Sequence, residues 1–171
     1  LTRAARSIQS FLLDDLSNWY VRRSRKRFWS SGWTEDKQAA YHTLYQTLVT
    51  LTKLIAPFVP MTADWYFKAL TGKESVHLED FPEVEQKLID KPLEHEMSCA
   101  MRIASAARAA RSSSKIKIRQ PLSRMLILSD NLILGDDTRN ILKDELNIKS
   151  IIITNNRKEI FSKKLFPNFR N

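Results

Sequence analysis

Apolar residues recur at helical spacing along most of the chain. Ile8, Leu12, Leu16 and Trp19 share one face at about 100° per residue, which predicts a helix from residue 2 to about residue 30. Ser30, Ser31 and Gly32 end it. Thr34 is placed to cap a second helix, with Glu35 and Asp36 in its first turn, where carboxylates suit the helix dipole. Leu44, Leu48, Leu51 and Ile55 carry that helix to Pro57, which stops it because the residue before a proline avoids helical angles. Pro60 opens a third helix and Gly72 closes it. Its Trp65 and Phe67 are expected in the core rather than on a stacking surface. Residues 73–83 read as a loop or short extended piece. A long helix then starts at about Glu83 or Lys91 and ends near Ser112, with Ala100, Ala104 and Ala107 leaving room for a neighbouring helix.

The pattern changes after Ser112. From Ser113 to Gln120, Ile116 and Ile118 alternate with Lys115, Lys117 and Arg119, the signature of a loop or edge strand. Arg124–Leu128 reads as a strand, and Asp136 or Asp137 starts a short helix through Leu146. Ser150–Thr154 reads as a buried strand, and Glu159–Leu165 as another. The expected fold is mainly α, a helical bundle over residues 1–112 followed by a small α+β module over residues 113–171, incomplete at its C-terminus.

Composition narrows the class. At 171 residues and 43% apolar the chain can bury a core, and three glycines argue against an all-β fold. The lone Cys99 excludes an internal disulfide and a cysteine-based zinc site, and its helical setting suggests a small core residue. His42 and His77 have no ligands at metal spacing and read as structural. No leader peptide or apolar run of membrane length is visible, so a soluble, cytoplasmic protein is expected. The net charge of +9 is unevenly spread: residues 1–33 hold seven cations against two carboxylates, and residues 101–128 hold seven against none. Residues 34–100 are net acidic. Two separate basic stretches imply an acidic partner surface.

The first stretch is the most specific. Five of the six positions from Arg22 to Arg27 are cationic, bracketed by Trp19, Tyr20, Phe28 and Trp29. Charge for phosphates beside flat faces for unpaired bases suits RNA. Dipole-complementing cations at a helix end would account for fewer charges. The apolar stripe, continued past Trp19, reaches Arg23 and Lys26, which predicts that Arg23 pairs with a carboxylate at the core edge or that the helix leaves the bundle there. Asn18, Arg22, Arg25 and Trp29 fall on the adjacent face. Trp19 and Tyr20 are read as core. In the second stretch, Arg108, Arg111 and Lys115 follow at i, i+3 and i+7 and continue into Lys117 and Arg119, either as a second RNA-facing edge or as a solvated helix face.

Asn18–Trp29 resembles the anticodon-binding region of isoleucyl-tRNA synthetases. So do Lys37–Tyr45, Ile55–Met61, Ser75–Leu78 followed by Phe81–Pro82, Lys115–Leu122, Glu145–Lys149 and Pro167–Phe169, in family order over nearly the whole chain. The resemblance implies a tRNA anticodon-arm recognition domain within an ATP-dependent isoleucine–tRNA ligase. It implies tRNA contacts among Asn18, Arg22, Arg23, Arg25, Lys26, Arg27, Trp29, Arg108, Arg111, Lys115, Lys117 and Arg119. ATP, magnesium, isoleucine and an editing domain would belong to other parts of the whole enzyme, with no cofactor in this part, no membrane contact and a monomeric state. The start at Leu1 and the stop at Asn171 fit an excised part of a longer polypeptide.

No catalytic constellation is visible. Tyr41-His42-Thr43 and Glu94-His95-Glu96 lack the second histidine of this enzyme class's nucleotide signature. Ser113–Lys117 lacks the pattern of its lysine–serine loop. The chain alone is therefore expected to be non-catalytic. A valine or leucine synthetase, or a helical protein-interaction module whose acidic Glu74–Glu96 stretch serves as its contact, remain as alternatives.

Overall fold

The structure is a computed structural model that describes residues 2–156. The chain forms two compact units that divide between Leu88 and Ile89.

The first unit is helical. Thr2–Ser10 (α1), a π-helical stretch Phe11–Val21 and Arg22–Trp29 (α2) form one continuous helical run, as the periodicity predicts. The middle of that run departs from the expected geometry. The Arg22 N–H reaches back five residues to the Ser17 carbonyl, and such i→i+5 bonding widens the turn. The buried positions are therefore Leu16, Trp19, Ser24 and Phe28, with a gap of five across the end of the wide stretch. Leu12, expected in the core, is exposed, and Ser24 rather than Arg23 continues the buried side.

Glu35–Ile55 (α3) starts as expected, with the Thr34 hydroxyl accepting the Lys37 N–H at 3.2 Å. Pro60–Thr71 (α4) ends at Gly72, whose φ of 69° is the left-handed cap that a side chain would oppose. Ala63 and Phe67, one turn apart on α4, are fully buried with Val76. Phe67 is core as predicted. Trp65 is 65% exposed, because two residues along a helix is a rotation to the far side. Asp64 ties the short turn Val76–Leu78 to α4. It accepts the Ser75 hydroxyl at 2.7 Å and the Val76 N–H at 2.9 Å, and it pairs with Lys68 at 2.8 Å.

The second unit holds the long helix Lys91–Ser113 (α5), capped by Asp90 and opened by Pro92. It also holds Leu122–Leu128 (β1), Asp136–Leu146 (α6) and Ile148–Thr154 (β2). The two strands pair in parallel, Leu122 opposite Ile148 through Leu128 opposite Thr154, with α6 as the crossover. Ala100, Ala104, Leu134, Leu142, Leu146, Ile148 and Ile151 form its core. Residues 113–120 are turns and not an edge strand, with Lys115 left-handed at φ 56°. The expected boundary at 112/113 thus falls inside this unit: α5 packs on α6, and Glu96 of α5 accepts the Gly135 N–H that opens α6 at 2.6 Å. The strand expected at Glu159–Leu165 lies outside the described residues. Among the described residues no helix is long and apolar enough to cross a membrane, and no group of three His, Cys, Asp or Glu is placed to hold a metal.

Candidate nucleic-acid interface

The Arg-rich run lies on α2, and the structure divides its cations by what each one touches. Asn18, Arg22, Arg25, Lys26 and Trp29 are all exposed. The Arg22 Nε donates to the Asn18 carbonyl at 2.8 Å, so the guanidinium lies back along its own helix. Arg25 rests 5.6 Å from the centre of the Trp29 ring, and Trp29 is 78% exposed. Arg23 is half-buried, its guanidinium 5.2 Å from the ring centre of the buried Trp19. Arg23 sits at the core edge, against an indole.

Arg27 is different. It grips Asp36 through two guanidinium bonds, at 2.8 and 2.6 Å, and donates a third to the Asp36 backbone carbonyl at 3.0 Å. This fork holds the start of α3 against the end of α2. The hydrogen bond from Arg27 holds the Asp36 carboxyl below its ordinary range, and the same bond raises the Arg27 pKa. Arg27 is thus engaged within the chain. Tyr20 and Phe28 also turn inward: the Tyr20 hydroxyl donates to the Ala40 carbonyl at 3.0 Å, and Phe28 is buried.

Part of the second basic stretch is engaged as well. Arg111 is 5% exposed and donates to four backbone carbonyls, those of Lys117, Gln120, Leu146 and Asn147. Two of these lie at the C-terminal end of α6, where helix carbonyls lack intrahelical partners and carry partial negative charge. A buried guanidinium suits that position without a carboxylate. Arg108 pairs with Glu145 of α6. Arg108 and Arg111 therefore fasten α5 to the rest of its own unit. Lys115, Lys117 and Arg119 remain exposed around the turns that follow. Ile118 is 41% exposed, so the alternation of isoleucines with cations does not mark a packed face there.

Three residues of the α2–α3 corner escaped the sequence reading. Trp33 is 70% exposed and stacks on Tyr41, ring centres 5.6 Å apart and planes 26° apart. Lys37 lies 5.4 Å from the Trp33 ring centre and donates to the Ser30 carbonyl at 2.8 Å. A second tryptophan just across the Ser30–Gly32 turn from Trp29, followed by a lysine, was the available signal.

The acidic stretch considered as a protein contact is largely engaged locally. Glu79 pairs with Lys53 at 2.8 Å and Lys73 at 2.7 Å, and these bonds hold its carboxyl below the usual range. Glu85 meets Lys87, Glu94 meets Lys91, and Glu96 opens α6. Cys99 is half-buried with its Sγ 3.7 Å from His95 Nε2.

The chain is 44% identical to an isoleucine–tRNA ligase of Cytophaga hutchinsonii and 43% identical to one of Bacillus thuringiensis strain Al Hakam, each over 99% of its length. It is 41% identical to one of Porphyromonas gingivalis, again over 99%. It spans only 16% of the first two relatives and 15% of the third. Residues 1–126 match the family described as the anticodon-binding domain of tRNA ligase, a stretch that includes every basic residue discussed above, and the chain belongs to that family.

Proposed function

We propose that this chain recognises the anticodon arm of an isoleucine tRNA as one part of a cytoplasmic, monomeric isoleucine–tRNA ligase. In such a protein ATP, magnesium and isoleucine would act in other domains, and this part would hold the tRNA without taking part in the chemistry. The observation that carries the reading is the exposed row of Asn18, at the end of the π-helical stretch, and Arg22, Arg25, Lys26 and Trp29 on α2, within a domain of the anticodon-binding family. Cations there neutralise loop and stem phosphates, which positions the RNA. Aromatic and amide groups beside them suit the bases of an unpaired loop, where sequence-specific RNA recognition is concentrated.

The test is direct binding of the chain to isoleucine tRNA, to its isolated anticodon stem–loop and to tRNAs of other amino acids. The expected order places the isoleucine tRNA and its stem–loop ahead of the others. Equal binding to all tRNAs at physiological salt would leave a general RNA-binding module and remove the isoleucine assignment.

A further inference from the structure

We propose that the α2–α3 corner is a stacking platform for unpaired RNA bases, formed by the indoles of Trp29 and Trp33. The inference rests on the reading of the chain as an anticodon-arm binder and adds Trp33, Lys37 and Tyr41 to the residues that reading uses.

Exposure alone would mean little, because single apolar side chains on a surface are common. These two differ in being braced. Trp33 lies against Tyr41, and Tyr41 in turn lies 4.9 Å from the ring centre of the buried Phe28 and donates its hydroxyl to the Phe28 carbonyl at 3.4 Å. The exposed indole is thus connected through two rings to the core. Lys37, tethered to the Ser30 carbonyl, lies over the Trp33 ring and Arg25 over the Trp29 ring, yet the two indoles keep 70% and 78% of their surface open. The backbone between the two tryptophans passes through Gly32 at φ 76°, a left-handed conformation that shapes the turn and that L side chains rarely adopt. Each indole is therefore held next to a cation before any ligand arrives, which lowers the ordering cost of binding.

A purely structural role explains this arrangement poorly. As the residue before the Thr34 cap, Trp33 would act as a hydrophobic staple by packing on the fourth residue of α3, which is the polar Gln38. It packs on Tyr41 instead and leaves 70% of its surface open. Flat π faces flanked by positive charge fit a nucleobase and its phosphate, and stacking of this kind tolerates any base. A protein partner would call for a broader apolar surface, whereas each exposed indole here carries a cation, Arg25 on Trp29 and Lys37 on Trp33.

The experiment uses the whole chain and two RNA probes: an anticodon stem–loop with a fluorescent purine analogue in its loop, and a fully paired duplex of equal length. Trp29→Ala and Trp33→Ala are each expected to weaken stem–loop binding roughly 5- to 100-fold. They should leave duplex binding unchanged and abolish the stacking-induced quench of the analogue. Trp29→Phe and Trp33→Phe should recover much of the loss. Trp33→Leu keeps apolar bulk against Tyr41 but has no flat face, so it should bind like Trp33→Ala even where its melting temperature matches the parent. Unchanged stem–loop affinity in folded Trp29→Ala and Trp33→Leu, with salt-dependent RNA binding intact, overturns the platform and leaves the anticodon-arm reading standing. A parent chain that binds neither RNA overturns both.

Discussion

Asp64 holds α4 to the turn that follows it, and does so with its charge. The hydrogen bond from Lys68, then those from Ser75 and the Val76 N–H, lower its pKa from the ordinary 3.8 to about 2. A carboxylate depressed in the folded state contributes stability above its unfolded pKa, and that contribution is lost as pH falls through the folded value. Asp64→Asn should therefore lower the melting temperature at neutral pH, and its difference from the parent should shrink between pH 3.8 and about 2. A difference that stays constant across that window in thermal melts would assign the effect to packing instead. Arg111 is the second residue whose role is structural. Removing it leaves four carbonyls around a buried void, so Arg111→Ala should cost about 3 kcal/mol or more in chemical denaturation. Arg111→Lys should recover little, because an ammonium cannot reproduce the planar fork. Neither role was legible from residue type. Asp64 belongs to no motif in the sequence, and the partners of Arg111 are backbone carbonyls, which no side-chain pattern records.

At the scale of elements, starts and stops were legible where a single residue imposes them. Thr34 caps α3, Gly72 closes α4 in the left-handed region, and Pro92 sits in the first turn of α5. The winding of the first helical run was not, because amphipathic spacing was read at 100° per residue through a stretch that winds more slowly. The slower winding shifts the packed face, and mutagenesis can check where it lies. Arg23 covers the Trp19 ring, an arrangement worth on the order of 1 kcal/mol when partly desolvated, so Arg23→Ala should lower the melting temperature. The double variant Arg22→Ala, Arg25→Ala removes exposed side chains and should weaken RNA binding with little change in stability. Equal destabilisation of both variants would place Arg22 or Arg25 in the packed face. The affiliation of α5 was also hidden. Ala100 and Ala104 mark a face that admits a close neighbour, but small residues do not say which one, and the helix groups with the α+β module.

For the whole molecule, the net charge of +9 overstates what faces a partner. Within the Arg-rich run Arg27 is committed to Asp36, and in the second stretch Arg108 and Arg111 are committed to α6 and its flanking turns. The exposed cations that remain in these stretches include Arg22, Arg25 and Lys26 in the first unit and Lys115, Lys117 and Arg119 in the second. If about 5 phosphates are neutralised, the log–log dependence of tRNA affinity on salt should have a slope of roughly −3.5 to −4.5. The contribution of the second unit can then be isolated. Replacing Lys115, Lys117 and Arg119 by alanine takes away no buried apolar surface, so the melting temperature should hold. The salt slope should become shallower by about 2 if these cations meet phosphates. A parent-like slope with parent-like stability would confine the RNA contact to the first unit. A parent-like slope with a lower melting temperature would give these cations the fastening role already taken by Arg108 and Arg111.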